Sequence, residues 1–324
     1  MKLWVGMALV VWPALVSPAA AEWRADILPV PGRVTAIEDV GGSVRIAIGQ
    51  GWYRFKPDDG SLEAASAPDI SALPVGALPD GRIVHGRETV ARAWLAEPTG
   101  RYRHGVLGDA IEAASLVIER HNGRQATLRL GADAVFEDLE PRLVKLDGKE
   151  RIIVVKSYLD RGSALAIVDP DSVSIIAETP PIGHSNAWLN PAGIADFDGD
   201  GTTDIAIVRQ PHVVGRLELW SWRTGGLHKV AEVEGVSNHV IGSRVLGMSA
   251  TADFDGDGRP DLAVPSLDRR VLRLLSFVSK AHDIAHVRLP ARVTTRIVVT
   301  EVRNRPALVL GLENGQLLLV HNGQ

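Results

Sequence analysis

The sequence predicts an all-β protein assembled from repeated four-stranded antiparallel units. Three observations carry this expectation. A nine-residue acidic pattern occurs twice, at Asp196–Asp204 and Asp253–Asp261. Each copy lies between short apolar runs of strand length. Each is followed by two further strand-like segments separated by turn residues, so one period holds four strands.

The first copy is preceded by Gly193–Ala195 and runs into Asp204–Val208. Arg216–Trp222, a Thr224-Gly225-Gly226 turn and Leu227–Val233 complete the unit. The second is preceded by Ser249–Ala252 and followed by Asp261–Val264, Val271–Phe277 and Ile284–Leu289. Four strands per repeat is the content of a propeller blade. Leu143–Val155 repeats the strand, the Asp-Gly turn and the second strand, but Lys145 and Lys149 stand where acids should be. Weaker echoes are Ala36–Ile48, Leu78–His85, Leu107–Ile118 and Val298–Leu310. Together these are seven candidate inner hairpins, hence an expected seven-bladed β-propeller, with six blades as the alternative. Leu317–Val320 reads as a third strand lacking a fourth, and Ala25–Val30 is placed to supply it and close the ring.

In each nine-residue pattern acids fall at positions 1, 3, 5 and 9 and glycines at 4 and 6. Four carboxylates so close repel one another unless a hard cation sits among them. Calcium takes six to eight oxygens, and the glycines permit the tight curl that lets acids converge. Asp196, Asp198, Asp200, the Thr202 carbonyl and Asp204 are candidate ligands for one ion. Asp253, Asp255, Asp257, the Arg259 carbonyl and Asp261 are those for a second. Solvated Asp-Gly turns are the competing explanation for one copy; recurrence in the same surroundings favours calcium. An EF-hand is excluded, because Ile207 and Val264 stand where its Glu belongs and strands follow the loops.

The pattern Asp-Phe-Asp-Gly-Asp-Gly-x-x-Asp followed by an apolar strand resembles the FG-GAP or VCBS repeat. That resemblance implies a propeller of the kind found in integrin alpha chains and many bacterial secreted proteins. It also implies a calcium ion between the innermost and second strands of each blade that keeps the motif. The Phe-Gly and Gly-Ala-Pro signatures of the integrin version are not evident, so integrin ligands do not transfer.

Residues 1–21 read as a signal peptide: Lys2, the apolar run Leu3–Val16, and the Ala19-Ala20-Ala21 cleavage site that leaves Glu22 first. The expected product is one propeller domain, 22–324, periplasmic or secreted, with no membrane span after cleavage. The chain has no cysteine, which excludes a disulfide scaffold and thiol chemistry. Its formal charge of −4 and the lack of a basic stripe argue against nucleic-acid binding.

No nucleophile elbow, zinc-protease motif or phosphate loop is present, so no catalytic residue is nominated. His282, Asp283 and His286 fall in a strand-like segment and read as surface residues. Two loops share Ser-Asn and a histidine: Gly183–Asn190 and Gly235–His239. Both precede inner strands, which places them opposite the acidic loops. His184, Asn186, Trp188, Asn238 and His239 are the candidate ligand-binding residues there; turn capping and packing of Trp188 between blades is the alternative. The expected role is a non-catalytic module recognising protein or carbohydrate, and the alternative is an enzyme acting on polysaccharide or a phospho-ester. A flat face favours the binder, a deep polar channel the enzyme.

Overall fold

A computed structural model describes residues 22–69 and 71–323; the expected signal peptide lies outside the described residues. Among the described residues every regular element is a β-strand. Strand β1 (Trp23–Leu28) precedes a first antiparallel unit of β2 (Val34–Val40), β3 (Ser43–Ile48), β4 (Gly51–Phe55) and β5 (Leu62–Ala65). A second unit holds β6 (Val84–His85), β7 (Arg92–Thr99), β8 (Glu112–Glu119) and β9 (Gln125–Arg129). The short β10 (Ala134–Phe136) pairs with β8 and also with the next unit, joining the two into one sheet. That third unit is β11 (Arg142–Leu146), β12 (Lys149–Tyr158), β13 (Gly162–Asp169) and β14 (Ser174–Glu178).

The fourth unit is β15 (Leu189–Ala195), β16 (Asp204–Arg209), β17 (Arg216–Arg223) and β18 (Gly226–Val233). The fifth is β19 (Ala250–Ala252), β20 (Asp261–Pro265), β21 (Val271–Ser276) and β22 (His282–Arg288). The sixth combines β23 (Val298–Val302), β24 (Arg305–Gly311) and β25 (Leu317–Asn322) with β1, in register from Leu28 opposite Leu317 to Trp23 opposite Asn322. The N-terminal strand therefore completes the last sheet, as its apolar pattern predicts. Pairing removes the free edge β25 would otherwise present.

The described strands form six units, not seven. Leu78–His85 and Leu107–Ile118 are not separate hairpins: the first contributes β6 and the second β8 to the same unit. Middle strands are buried on both faces, which is why β12, β13, β16 and β24 are nearly continuous apolar runs. Outer strands such as β18 and β22 carry exposed charge. The core is shared between neighbours. Apolar clusters join the second to fourth units, the fourth to the fifth, the fifth to the sixth, and the sixth to the first. The first and second meet through Arg82 and Glu38, 3.0 Å apart. Together they make a propeller-like ring of four-stranded sheets.

Candidate metal loops and recognition face

The acidic loops join β15 to β16 and β19 to β20, the first and second strands of their units. Position 2 anchors each. Phe197 is buried against Phe277 with centroids 5.7 Å apart, and Phe254 against Trp23 at 5.5 Å. Glycines at positions 4 and 6 adopt φ from 74° to 87°, left-handed backbone that favours glycine and turns the acids inward.

Hydrogen bonding is nearly the same in both loops. Asp204 accepts from the Phe197 amide at 3.0 Å, and Asp261 from that of Phe254 at 2.8 Å. Asp196 accepts from the Gly201 amide at 3.0 Å, Asp253 from that of Gly258 at 2.9 Å. Asp198 and Asp255 take the amides of Asp200 and Asp257 at 3.1 and 3.0 Å. The result is two carboxylate triplets, Asp196-Asp198-Asp204 and Asp253-Asp255-Asp261, each with oxygens within 4.8 Å of one another. Asp200 and Asp257, expected as ligands, lie outside these triplets. Each instead accepts the amide at position 7, Thr202 or Arg259, at 2.8 Å.

Three carboxylate oxygens of these triplets are buried without a hydrogen-bond donor: Oδ1 of Asp196, Asp204 and Asp261. Leaving a buried acceptor unsatisfied is costly. Burial, with neighbouring acids, pushes Asp261 up to about 6 and also raises Asp204. An all-oxygen donor set with orphaned, costly-to-ionise carboxylates fits a hard divalent cation.

The loops differ in their surroundings. Arg223, at the end of β17, reaches Asp198 at 3.1 Å and Asp200 at 2.5 Å. Arg259 extends from the second loop to the first, 4.0 Å from Asp196. Among the described residues no Lys or Arg makes an ion pair with the second triplet. The degenerate third turn is tight: Asp147 and Gly148 both have positive φ between paired Leu146 and Lys149. Lys145 pairs with Glu88 at 2.8 Å, and Asp147 accepts from the Trp222 indole at 2.6 Å.

The opposite face departs from expectation. His184 and Asn186 are exposed, but Trp188 is 2% exposed and Asn238 and His239 are buried, so the five do not form one open surface. The Trp188 indole donates to the Glu137 carbonyl at 2.9 Å. Asn238 donates to the carbonyls of Asn190 and Pro191 at 3.3 and 3.1 Å. His239 lies between His212 and the Ser243 carbonyl, 2.9 Å from each. Burial holds His212 and His239 down to about 4 and about 3, so both are neutral at pH 7. These groups hold the connection between β18 and β19 in place. That connection crosses to the second unit, where the Gly242 amide meets the Val106 carbonyl at 2.8 Å and Arg244 pairs with Asp80 and Asp109.

Large exposed apolar side chains gather on this face: Val75, Ile111, Val213, Val214, Ile241 and Leu267. The sequence does not mark them, because Val213-Val214, Val240-Ile241 and Leu267 are short apolar breaks in loops rather than periodic runs. His282, Asp283 and His286 lie on outer strand β22, with His286 2.9 Å from Asp283.

Residues 196–264, which contain both acidic loops, match the FG-GAP-like repeat. The chain therefore carries that repeat within an all-β, propeller-like fold. No curated protein matches the sequence. Among solved structures, BBS1N in complex with ARL6DN is similar at 12% identity, over 93% of this chain and 96% of that one, with a TM-score of 0.40. BamB from Moraxella catarrhalis is 12% identical over 88% of this chain and 71% of its own, with a TM-score of 0.38. A chain of the mitotic checkpoint complex is 10% identical over 99% and 98%, at 0.46.

Proposed function

We propose that the protein is an exported, non-catalytic recognition module: a six-bladed propeller whose fourth and fifth blades are held by calcium and whose opposite face binds a partner. The observation that carries the metal assignment is the pair of triplets with orphaned Oδ1 atoms on Asp204 and Asp261. Asp196, Asp198 and Asp204 would hold one ion, and Asp253, Asp255 and Asp261 the other. The Thr202 and Arg259 carbonyls, Asp200 and Asp257 are available to complete the shells. Binding inside a blade would stabilise the folded chain by roughly 2.7 kcal/mol per site at calcium a hundredfold above Kd.

Recognition is favoured over catalysis by the connection between β18 and β19, which is tied to the second unit through Gly242 and Arg244 and gives that face a fixed surface. The apolar side chains beside it suit a macromolecular partner. The signal-peptide pattern of residues 1–21 supports export, which would put the loops where calcium is available.

Calorimetry on metal-stripped protein tests the metal assignment, with two sites expected. No heat, together with an unchanged melting curve in excess chelator, would overturn it. Peptide panning and a glycan array with the calcium-loaded protein test recognition; silence in both would count against it.

A further inference from the structure

Val213, Val214, Ile241 and Leu267 come from three loops, yet contacts between those loops join them into one patch. Val213 and Val214 follow His212 in the connection between β16 and β17. A Cβ at neighbouring Gly215 would lie 2.7 Å from Cδ1 of Leu267, so that side chain packs beside Val214. Leu267 shares its loop with Arg269, whose guanidinium donates to the His239 carbonyl at 3.4 Å. His239 touches His212 at 2.9 Å and leads to Ile241. Val213 is 73% exposed, Ile241 66%, Val214 39% and Leu267 38%.

Within this patch Arg269 is singular. Its neighbours Arg270 and Arg292 both pair with Glu313, at 3.6 and 3.5 Å. Arg269 has no carboxylate within ion-pair distance among the described residues, and its Nε is buried without a partner. Burial and the Arg292 charge lower its pKa from the usual arginine value, against the opposing pull of the Glu313 and Asp268 carboxylates beyond ion-pair distance, though not enough to discharge it. The two histidines beside it are neutral and offset nothing. A half-buried guanidinium with no direct ion pair gains when an anion arrives, and its planar fork matches a carboxylate.

We infer that this patch docks an extended protein segment whose apolar side chains cover Val213, Val214, Ile241 and Leu267 and whose Asp or Glu pairs with Arg269. The inference rests on the recognition reading above and gives it a partner chemistry. A lipid surface fits less well. Attraction to anionic lipid grows by about 1 kcal/mol per basic residue, and Glu313 already engages Arg270 and Arg292. A glycan fits less well too, since Trp188, packed 4.7 Å from the His239 ring, is buried.

The test begins with random phage-displayed dodecapeptides panned on the calcium-loaded protein. Enriched peptides are then measured by fluorescence anisotropy against wild type, Arg269→Gln and Leu267→Asp. Enriched sequences should combine Leu, Ile or Val with Asp or Glu. Arg269→Gln should weaken binding about tenfold or more. Replacing the acid of the peptide with its amide should cost the same on wild type and almost nothing further on Arg269→Gln. Melting curves accompany every variant; if Leu267→Asp unfolds, Val213→Asp takes its place. Peptides that bind all variants equally would overturn this patch while leaving recognition intact. Phosphatidylglycerol vesicles that bind wild type but not Leu267→Asp, with no peptide enriched, would reassign it to lipid. Absence of both peptide and vesicle binding would reject the patch, and a silent glycan array besides would reject recognition.

Discussion

Arg223 should act as a built-in competitor for the first calcium site. Its guanidinium spans Asp198 and Asp200 at 3.1 and 2.5 Å, and Asp198 is a member of the first triplet. An arriving ion must share or displace those pairs. Both are partly solvent-exposed, and an exposed pair of this kind contributes about 0.2–1 kcal/mol. Two of them set a penalty of about 0.4–2 kcal/mol on ion entry, or about 2- to 30-fold in Kd. The perturbation is Arg223→Gln in an Asp255→Ala background, which disables the second loop so that one site is read alone. Calorimetry in a fixed moderate salt should show tighter calcium binding by that factor. Lys149→Gln removes an exposed cation from the neighbouring blade without touching the triplet, and should change Kd much less. Equal or weaker calcium binding by the Arg223 variant would refute the reasoning, as would an equal gain from Lys149→Gln.

The second triplet, with no arginine pair of its own, should be the tighter of the two, so Asp255→Ala should remove the higher-affinity phase of a wild-type titration and Asp198→Ala the lower. Trp188→Ala deletes a buried ring and its bond to the Glu137 carbonyl; denaturant titration should show a loss of about 3–5 kcal/mol. Deleting residues 22–31 removes β1 and bares β25, and light scattering should detect aggregation. Glu112, buried with Oε1 unpartnered, is pushed up to about 9 by burial and by Glu137. A raised acid stabilises the fold fully below about 4.5 and loses that contribution as pH climbs toward 9, so Glu112→Gln should gain on wild type by about 1.4 kcal/mol per pH unit in urea melts between pH 5 and 8; a gap that stays constant with pH would contradict this.

What was legible in the sequence was what had to be local. A metal loop must bend nine residues around one point, so acids, glycines and the buried phenylalanine all stand in a single window. The strand that completes the sixth sheet was legible for a related reason: Leu317–Val320 needs a partner, and the apolar run near Ala25 is one. The number of sheets was not. Strand β6 is two residues long, and β10 pairs with sheets on both sides of it, so neither leaves a periodic signal. Loop position suggests a surface for Trp188 and His239, with packing of Trp188 between blades as the alternative, and both are buried, Trp188 bonded to the Glu137 carbonyl and His239 against the His212 ring; no spacing announces either partner.

The same contrast separates the two candidate sites. Charge at Asp196–Asp204 and Asp253–Asp261 is concentrated along the chain, and its cost is evident before folding. At Arg269 the cost arises only in the folded ring, where Glu313 pairs with its neighbours and the half-buried guanidinium keeps an unpartnered Nε. Nothing in Leu267-Asp268-Arg269-Arg270 distinguishes Arg269 from Arg270. Their difference is positional, since one faces Glu313 and the other the back of the His239 loop. No single loop carries the whole patch: Val213 and Val214, Ile241, and Leu267 with Arg269 come from the connections between β16 and β17, β18 and β19, and β20 and β21. Residues for binding should therefore be sought where loops from adjacent blades leave one charge without a direct ion pair beside exposed apolar side chains, and Arg269 is such a place.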